Sequence, residues 1–294
     1  MITNRTTHTQ GDLGGRGRFV VLGARGKTGG RVASRLRDRG HAVVEASRST
    51  TPTFDWGDPS TWAPALEGAT GLYATYFPDL AAPGATDAVA ALAQVARASG
   101  VERAVLLSGR GEPAARQGED AFLGGFPGAD IVRCAWFDQN FTEGIFAPAV
   151  AAGAISLPAP PEAVEPFVDA EDIADCAVEL LTRPASPGGV HELTGPAALT
   201  LADAAAVLGA ARALPVRYLE TDVPGFARVL EEEGLSQDEA LGLAHVFADT
   251  LDGRNAHTTS TVEDLLGRAP RSLADFAADA HRAGTLPMPL AMSR

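Results

Sequence analysis

Apolar residues recur along this chain in two alternating rhythms, short solid runs and runs spaced as on one helix face, and the alternation predicts a layered α/β fold. Arg18 to Leu22 is a solid run and predicts a strand; Val32, Ala33 and Leu36 then fall at helical spacing within Gly30 to Arg39. Gly40 closes that helix, and His41 to Ala46 is a second β-rich run, so a complete βαβ unit occupies about 30 residues. Gly71 to Tyr76, Arg103 to Ser108 and Ala129 to Cys134 predict further buried strands, with helices over Ala85 to Gly100 and around Gln117 to Leu123. This order specifies a doubly wound parallel sheet of the Rossmann type.

After Trp136 the rhythm loosens. Pro158, Pro160, Pro161 and Pro166 interrupt the chain before a helix that starts within Phe167 to Asp175, with Asp169 or Asp172 as its cap. Beyond Val190, two short strands (His191 to Leu193 and Val216 to Leu219) and helices rich in Ala and Glu predict a smaller C-terminal α/β lobe. The expected organisation is a mobile leader over 1–17, a nucleotide-binding domain over 18–155 and a substrate-side lobe over 156–294, partly interwoven with it. No internal repeat or heptad pattern is present.

Composition narrows the partners. Asp and Glu number 37 against 24 Lys and Arg, and the net charge of -13 would repel a phosphate backbone or an anionic membrane surface. No stretch approaches the roughly 20 apolar residues of a membrane span, and the first 17 residues carry no apolar signal core, so a cytoplasmic location is expected. Cys134 and Cys176 lack Cys-x-x-Cys spacing and the histidines lack ligand spacing, so two buried thiols and no metal are expected. The expected partner is a small molecule, and the oligomeric state is open.

The chemistry-bearing segment is the turn Gly23-Ala24-Arg25-Gly26-Lys27-Thr28-Gly29, between the first strand and its helix. A pyrophosphate needs backbone N–H groups at a helix N-terminus and a chain without obstructing Cβ atoms, and Gly23, Gly26 and Gly29 meet that need. The spacing is G-x-x-G-x-x-G rather than the common G-x-G-x-x-G, so its position between strand and helix carries the inference. Where an NAD enzyme places an acid for the ribose 2′-hydroxyl, this chain has Ser47-Arg48-Ser49. A guanidinium suits a 2′-phosphate, with hydroxyls on either side, and Arg25 and Lys27 add positive charge, so the expected cofactor is NADP(H). Glu45 precedes the strand end and is discounted.

The sequence resembles the NmrA-like branch of the atypical short-chain dehydrogenases over nearly its whole length. The resemblance is carried by Leu22-Gly-Ala-Arg-Gly-Lys-Thr-Gly29, Ala46-Ser-Arg48, Phe54-Asp-Trp56, Leu107-Ser-Gly109, Trp136-Phe-Asp-Gln-Asn-Phe141, Pro166-Phe-Val-Asp169 with Asp172-Ile-Ala174, and Leu193-Thr-Gly195. It implies that Asp55 and Trp56 lie beside the adenine and that Thr75, Tyr76 and Phe77 line the cofactor. The family includes quinone and dye reductases and also nucleotide-sensing regulators, so it implies the cofactor more firmly than the reaction.

Orthodox short-chain dehydrogenases pair Ser with Tyr-x-x-x-Lys, and that pair is absent here. Lys27 is the sole lysine and is assigned to the phosphate turn, while the tyrosines are Tyr73, Tyr76 and Tyr218. Ser108, with Gly109 beside it, stands at the C-terminal end of a predicted strand, where it either bonds the cofactor or takes part in catalysis. Without a tuned acid, the expected reaction is hydride transfer to a planar, aromatic or quinonoid acceptor. Trp136, Phe137 and Phe141 are expected as flat apolar walls, Asn140 as a hydrogen-bonding residue and Tyr76 as a proton donor. Asp138, Glu143 and His257 are weaker candidates. The alternatives are a regulator without turnover and a non-redox enzyme that uses the cofactor structurally.

Overall fold

The computed structural model describes residues 17–144, 146–184 and 187–289, so the expected leader lies outside the described residues apart from Gly17. The described strands are β1 (Arg18–Leu22), β2 (Ala42–Ala46), β3 (Gly71–Ala74), β4 (Arg103–Gly109), β5 (Asp130–Cys134), β6 (Ala154–Leu157), β7 (Val164–Glu165), β8 (Gly189–Leu193), β9 (Leu199–Thr200) and β10 (Arg217–Glu220). Six of them form one parallel sheet in the order β2-β1-β3-β4-β5-β8.

The solid apolar runs follow from this sheet being covered on both faces. Val20 and Leu22 of β1 point to one face, against Val89 and Leu92 of the Ala85–Ala98 helix and Phe122 of the Pro113–Gly125 helix. Phe19 and Val21 point to the other, against Val32 and Leu36 of the Gly29–Asp38 helix and Ile173 and Ala177 of the Ala170–Thr182 helix. Gly40 and Gly100, at φ +83° and +82°, close the Gly29–Asp38 and Ala85–Ala98 helices as read from the sequence.

The strand order reverses between β1 and β3, which neighbour each other with their C-terminal ends on one edge, and in such sheets ligands gather outside that edge.

Two strands depart from the expectation. His191 to Leu193, expected in the C-terminal lobe, belongs to β8 and pairs in parallel with β5 from Asp130↔Gly189 to Cys134↔Leu193. Leu193 is fully buried in the sheet's core, and that burial fixes the strand in this position. β3 also ends at Ala74, two residues short of the expected strand, which releases Thr75 to Phe77 into the cleft.

The remaining apolar side chains form a separate cluster that includes Phe146, Ile155, Phe167, Phe226, Phe247 and Phe276. It is built from the parallel pair β6–β10 and the helices Leu201–Arg212, Val223–Glu232, Gln237–Thr250 and Leu273–Arg282. Cys134 and Cys176 are buried and unbridged. Among the described residues, no helix is long and apolar enough to cross a membrane, and no group of three or more His, Cys, Asp or Glu is placed to hold a metal.

Candidate active site

At the end of β1 the chain turns through Gly23 at φ +71°, and Gly26 N–H donates to the Gly23 carbonyl at 2.8 Å. The Gly29–Asp38 helix begins immediately behind, so its first N–H groups face the turn. A Cβ on Gly29 would strike the Gly23 carbonyl oxygen, with Gly23 C at 2.7 Å and Ala24 N at 3.0 Å. A Cβ on Gly23 would strike Thr75 Oγ1, across the point where the strand order reverses. Thr28 is buried behind the turn and caps the helix through its backbone alone.

One side of the turn opens into a cavity of about 680 Å³ lined by Ser47, Arg48, Asp55, Trp56, Tyr76 and Phe77, among others. Trp56 packs on Phe54, Trp62 and Tyr76, with ring centroids 5.1, 5.9 and 4.8 Å away. The Asp55 carboxylate accepts from Gly57 N–H at 3.0 Å. Arg25 and Arg48 line this cavity, both exposed, and neither forms an ion pair among the described residues. Glu45 also lines it but is taken by Arg37 at 2.5 Å. Ser49 stands behind Ser47, with their hydroxyl oxygens 3.3 Å apart.

The other side opens into a cavity of about 420 Å³ that shares Thr75 and Tyr76 with the first, so the two form one cleft across the ends of β1, β3, β4 and β5. Its lining includes Lys27, Ser108, Gly109, Trp136, Phe137 and Asn140, closed above by Leu243, Val246 and Phe247 of the Gln237–Thr250 helix. Lys27, expected at the pyrophosphate, instead reaches across and donates to Asn140 Oδ1 at 2.6 Å. Burial pushes its ammonium below the usual lysine range, opposed by Glu143.

The segment carrying Asn140 is tied down by the residues behind it. Val168 N–H donates to the Trp136 carbonyl at 2.8 Å, and Asp138 N–H donates to the Val168 carbonyl at 3.0 Å. Asp169 caps the Ala170–Thr182 helix by accepting from Glu171 N–H at 2.9 Å and also accepts from Gln139 Nε2 at 2.6 Å. The Pro166-Phe-Val-Asp169 motif thus holds one wall of the cleft. Gly195 passes so close to the Phe167 carbonyl that a Cβ would strike it, which accounts for the glycine in Leu193-Thr-Gly195.

Several expected residues are placed elsewhere or otherwise engaged. Phe141 is 1% exposed and packs on Phe146 and Phe167 inside the C-terminal cluster, behind the wall rather than on it. The Ser108 hydroxyl donates to the buried Glu119 carboxylate at 2.5 Å, within an ion-pair array in which Arg133 spans Glu119 and Glu192. Asp138 is fully buried, and burial followed by Asp169 holds its carboxyl well above the usual range. Glu143 pairs with Arg31 at 2.7 Å, and His257 packs on Arg110, so neither reaches the cavity. Sequence reasoning missed Asp79 and Glu112, which also line it. Glu112 lies three residues beyond Gly109, in the loop leaving β4, and position at that ligand-gathering edge is the signal that could have found it.

No family model matches the chain. It is 31% identical to an uncharacterised oxidoreductase of Bacillus subtilis, over 90% of this chain and 95% of that one. It is 30% identical to the agroclavine dehydrogenase of Claviceps fusiformis, over 89% and 96%. The fold is similar to that of the triphenylmethane reductase of Citrobacter sp. in complex with NADP(H), at a TM-score of 0.70 and 18% identity, covering 90% of this chain and 99% of that one. It is also similar to Nmra, a negative transcriptional regulator, at 0.66 and 16%, covering 92% and 97%. The chain belongs to the NmrA-like branch of the atypical short-chain dehydrogenases. The relatives that show this membership are an oxidoreductase and a dehydrogenase, and the motifs read from the sequence now have positions: the glycine turn, the Thr75 to Phe77 loop and the Trp136 to Asn140 wall surround one cleft.

Proposed function

We propose that this chain is an NADPH-dependent reductase that delivers hydride to a planar, aromatic or quinonoid small molecule. The observation that carries the reading is the single cleft with two unlike halves, one flanked by two exposed arginines that form no ion pair among the described residues and the other walled by aromatic rings.

The residues present fit the cofactor. The glycine turn is a cradle that a Cβ would fill, the exposed Arg48 guanidinium on the cavity wall suits a 2′-phosphate, and Trp56 and Phe77 flank the space for an adenine. When bound, the nicotinamide supplies the hydride. Lys27 and Asn140 fall beyond the turn, where the Asn140 amide N–H₂ is left to orient a carboxamide or carbonyl. Trp136, Phe137 and the 156–294 lobe, through Leu243 and Val246, exclude water and present apolar faces to a ring. Similarity in sequence to an agroclavine dehydrogenase, and in fold to a triphenylmethane reductase, supports a small-molecule acceptor.

Turnover is tested by following nicotinamide absorbance with purified protein, NADPH and a panel of quinones, dyes and imines. Oxidation of NADPH by a planar acceptor is expected; tight binding without turnover on any of them would overturn the reductase reading in favour of nucleotide sensing. Arg48→Glu is expected to weaken NADPH by about 100-fold, the loss of one or two charge-assisted hydrogen bonds, while changing NADH little. Titration of both nucleotides checks this, and an equal loss for each would remove Arg48 from the ribose.

A further inference from the structure

The inner half of the cleft holds two carboxyl groups that hydride transfer alone does not require. Asp79, in the loop leaving β3, is fixed by Ala81 N–H, which donates to its Oδ1 at 2.7 Å. Glu112, in the loop leaving β4, folds back over the strand end: a Cβ on Gly109 would lie 3.3 Å from Glu112 Oε1. Both side chains line the same cavity, so the Asp79 carboxyl acts on Glu112 across a short, partly buried gap and favours its protonated form. Glu112 is the less exposed of the two, and its burial, with Asp79 beside it, keeps a proton on it.

We infer that Glu112 is the proton donor to the carbonyl oxygen of a quinone-type acceptor in this cleft and that Asp79 is its positioning partner, an inference that rests on the reductase reading. As hydride adds to the acceptor, an electron pair moves onto the carbonyl oxygen. The new O–H bond forms there as the Glu112 O–H bond breaks, leaving Glu112 ionised until solvent returns a proton. Hydride and proton together convert quinone to hydroquinone. A cationic dye or an iminium needs hydride alone, so Glu112 has no proton to give it.

The surroundings keep the donor loaded. Burial and then Asp79 raise the Glu112 carboxyl to about 8, so it holds its proton at neutral pH. The other ionisable groups on the cavity wall are Lys27, Tyr76, Arg110 and Cys134. Lys27 is bonded to Asn140, Arg110 turns away to His257, and burial holds the Cys134 thiol well above its usual range.

The test compares quinone reduction and cationic triarylmethane dye reduction by wild type, Glu112→Gln, Glu112→Asp and Asp79→Asn across pH, with infrared titration of the cofactor-free proteins. Glu112→Gln is expected to lower the quinone-to-dye rate ratio about 100-fold, the low end for a general acid, with partial recovery in Glu112→Asp. Wild-type quinone reduction is expected to fall as pH rises through about 8, since the acid is then ionised. That alkaline limb is expected to vanish in Glu112→Gln and to move to lower pH in Asp79→Asn. A protonated-carboxyl infrared band that titrates near the same pH is expected in wild type and not in Glu112→Gln. An unchanged ratio and pH profile in Glu112→Gln, with wild type active, overturns this inference alone. Wild type inert toward every acceptor overturns it together with the reductase reading.

Discussion

Gly29→Ala is expected to abolish dinucleotide binding, with NADPH affinity falling more than about 100-fold. The new methyl group would meet the Gly23 carbonyl and the Ala24 amide nitrogen, all backbone atoms of the turn itself, so no flexible side chain can yield. Either the Gly29–Asp38 helix is pushed off β1 or the turn opens. Overpacking of this kind costs about 3 kcal/mol at the upper end of its usual range, and the opened turn no longer aims its N–H groups at one point. Fluorescence titration with NADPH checks the affinity, and thermal melting of the apo protein separates the two responses. Retained affinity would show that the pyrophosphate is held elsewhere.

Arg133→Met is expected to destabilise the fold by about 3–5 kcal/mol, because it strands the Glu119 carboxylate, which is 1% exposed. Arg133 Nε donates to Glu119 Oε1 at 2.9 Å and Nη1 donates to Glu192 Oε1 at 2.7 Å, so one guanidinium joins the Pro113–Gly125 helix, β5 and β8. Hydrogen bonding to Glu119 raises the Arg133 pKa further, so the arginine stays charged throughout any accessible pH. A fall in Tm of roughly 10 °C is the expected readout for a chain of this size. Glu119→Leu added to Arg133→Met is expected to recover most of the loss, since the buried charge is then gone as well. A single variant melting with the wild type would show that water already reaches Glu119.

The sequence announced what depends on neighbours along the chain and concealed what depends on neighbours across it. Solid apolar runs sufficed for β1 to β5 because both sheet faces are covered, and three glycines sufficed to mark the tight turn at the end of β1. β8 was misplaced because Gly189 to Leu193 is short and half-buried over most of its length, and only pairing with β5 assigns it to the sheet. Phe141 and Phe137 are equally apolar neighbours, and which of them faces the cleft is decided by Phe146 and Phe167 packing from behind. Asp79 and Glu112 sit in ordinary loop sequences; it is the adjacency of β3 and β4 that brings them together. Lys27 ends beside Asn140 rather than over the glycine turn, because a turn residue's backbone position does not fix where a four-carbon side chain ends.

That last residue has a practical consequence. A protein of 294 residues with a single lysine offers amine-directed reagents one side chain, and here it stands on the wall of the cleft with burial lowering its proton affinity. Mild acylation therefore labels one ε-amine, and its rate measures how open the inner cavity is. An isotope placed on lysine gives one side-chain resonance, a reporter of occupancy that needs no assignment and no engineered tag.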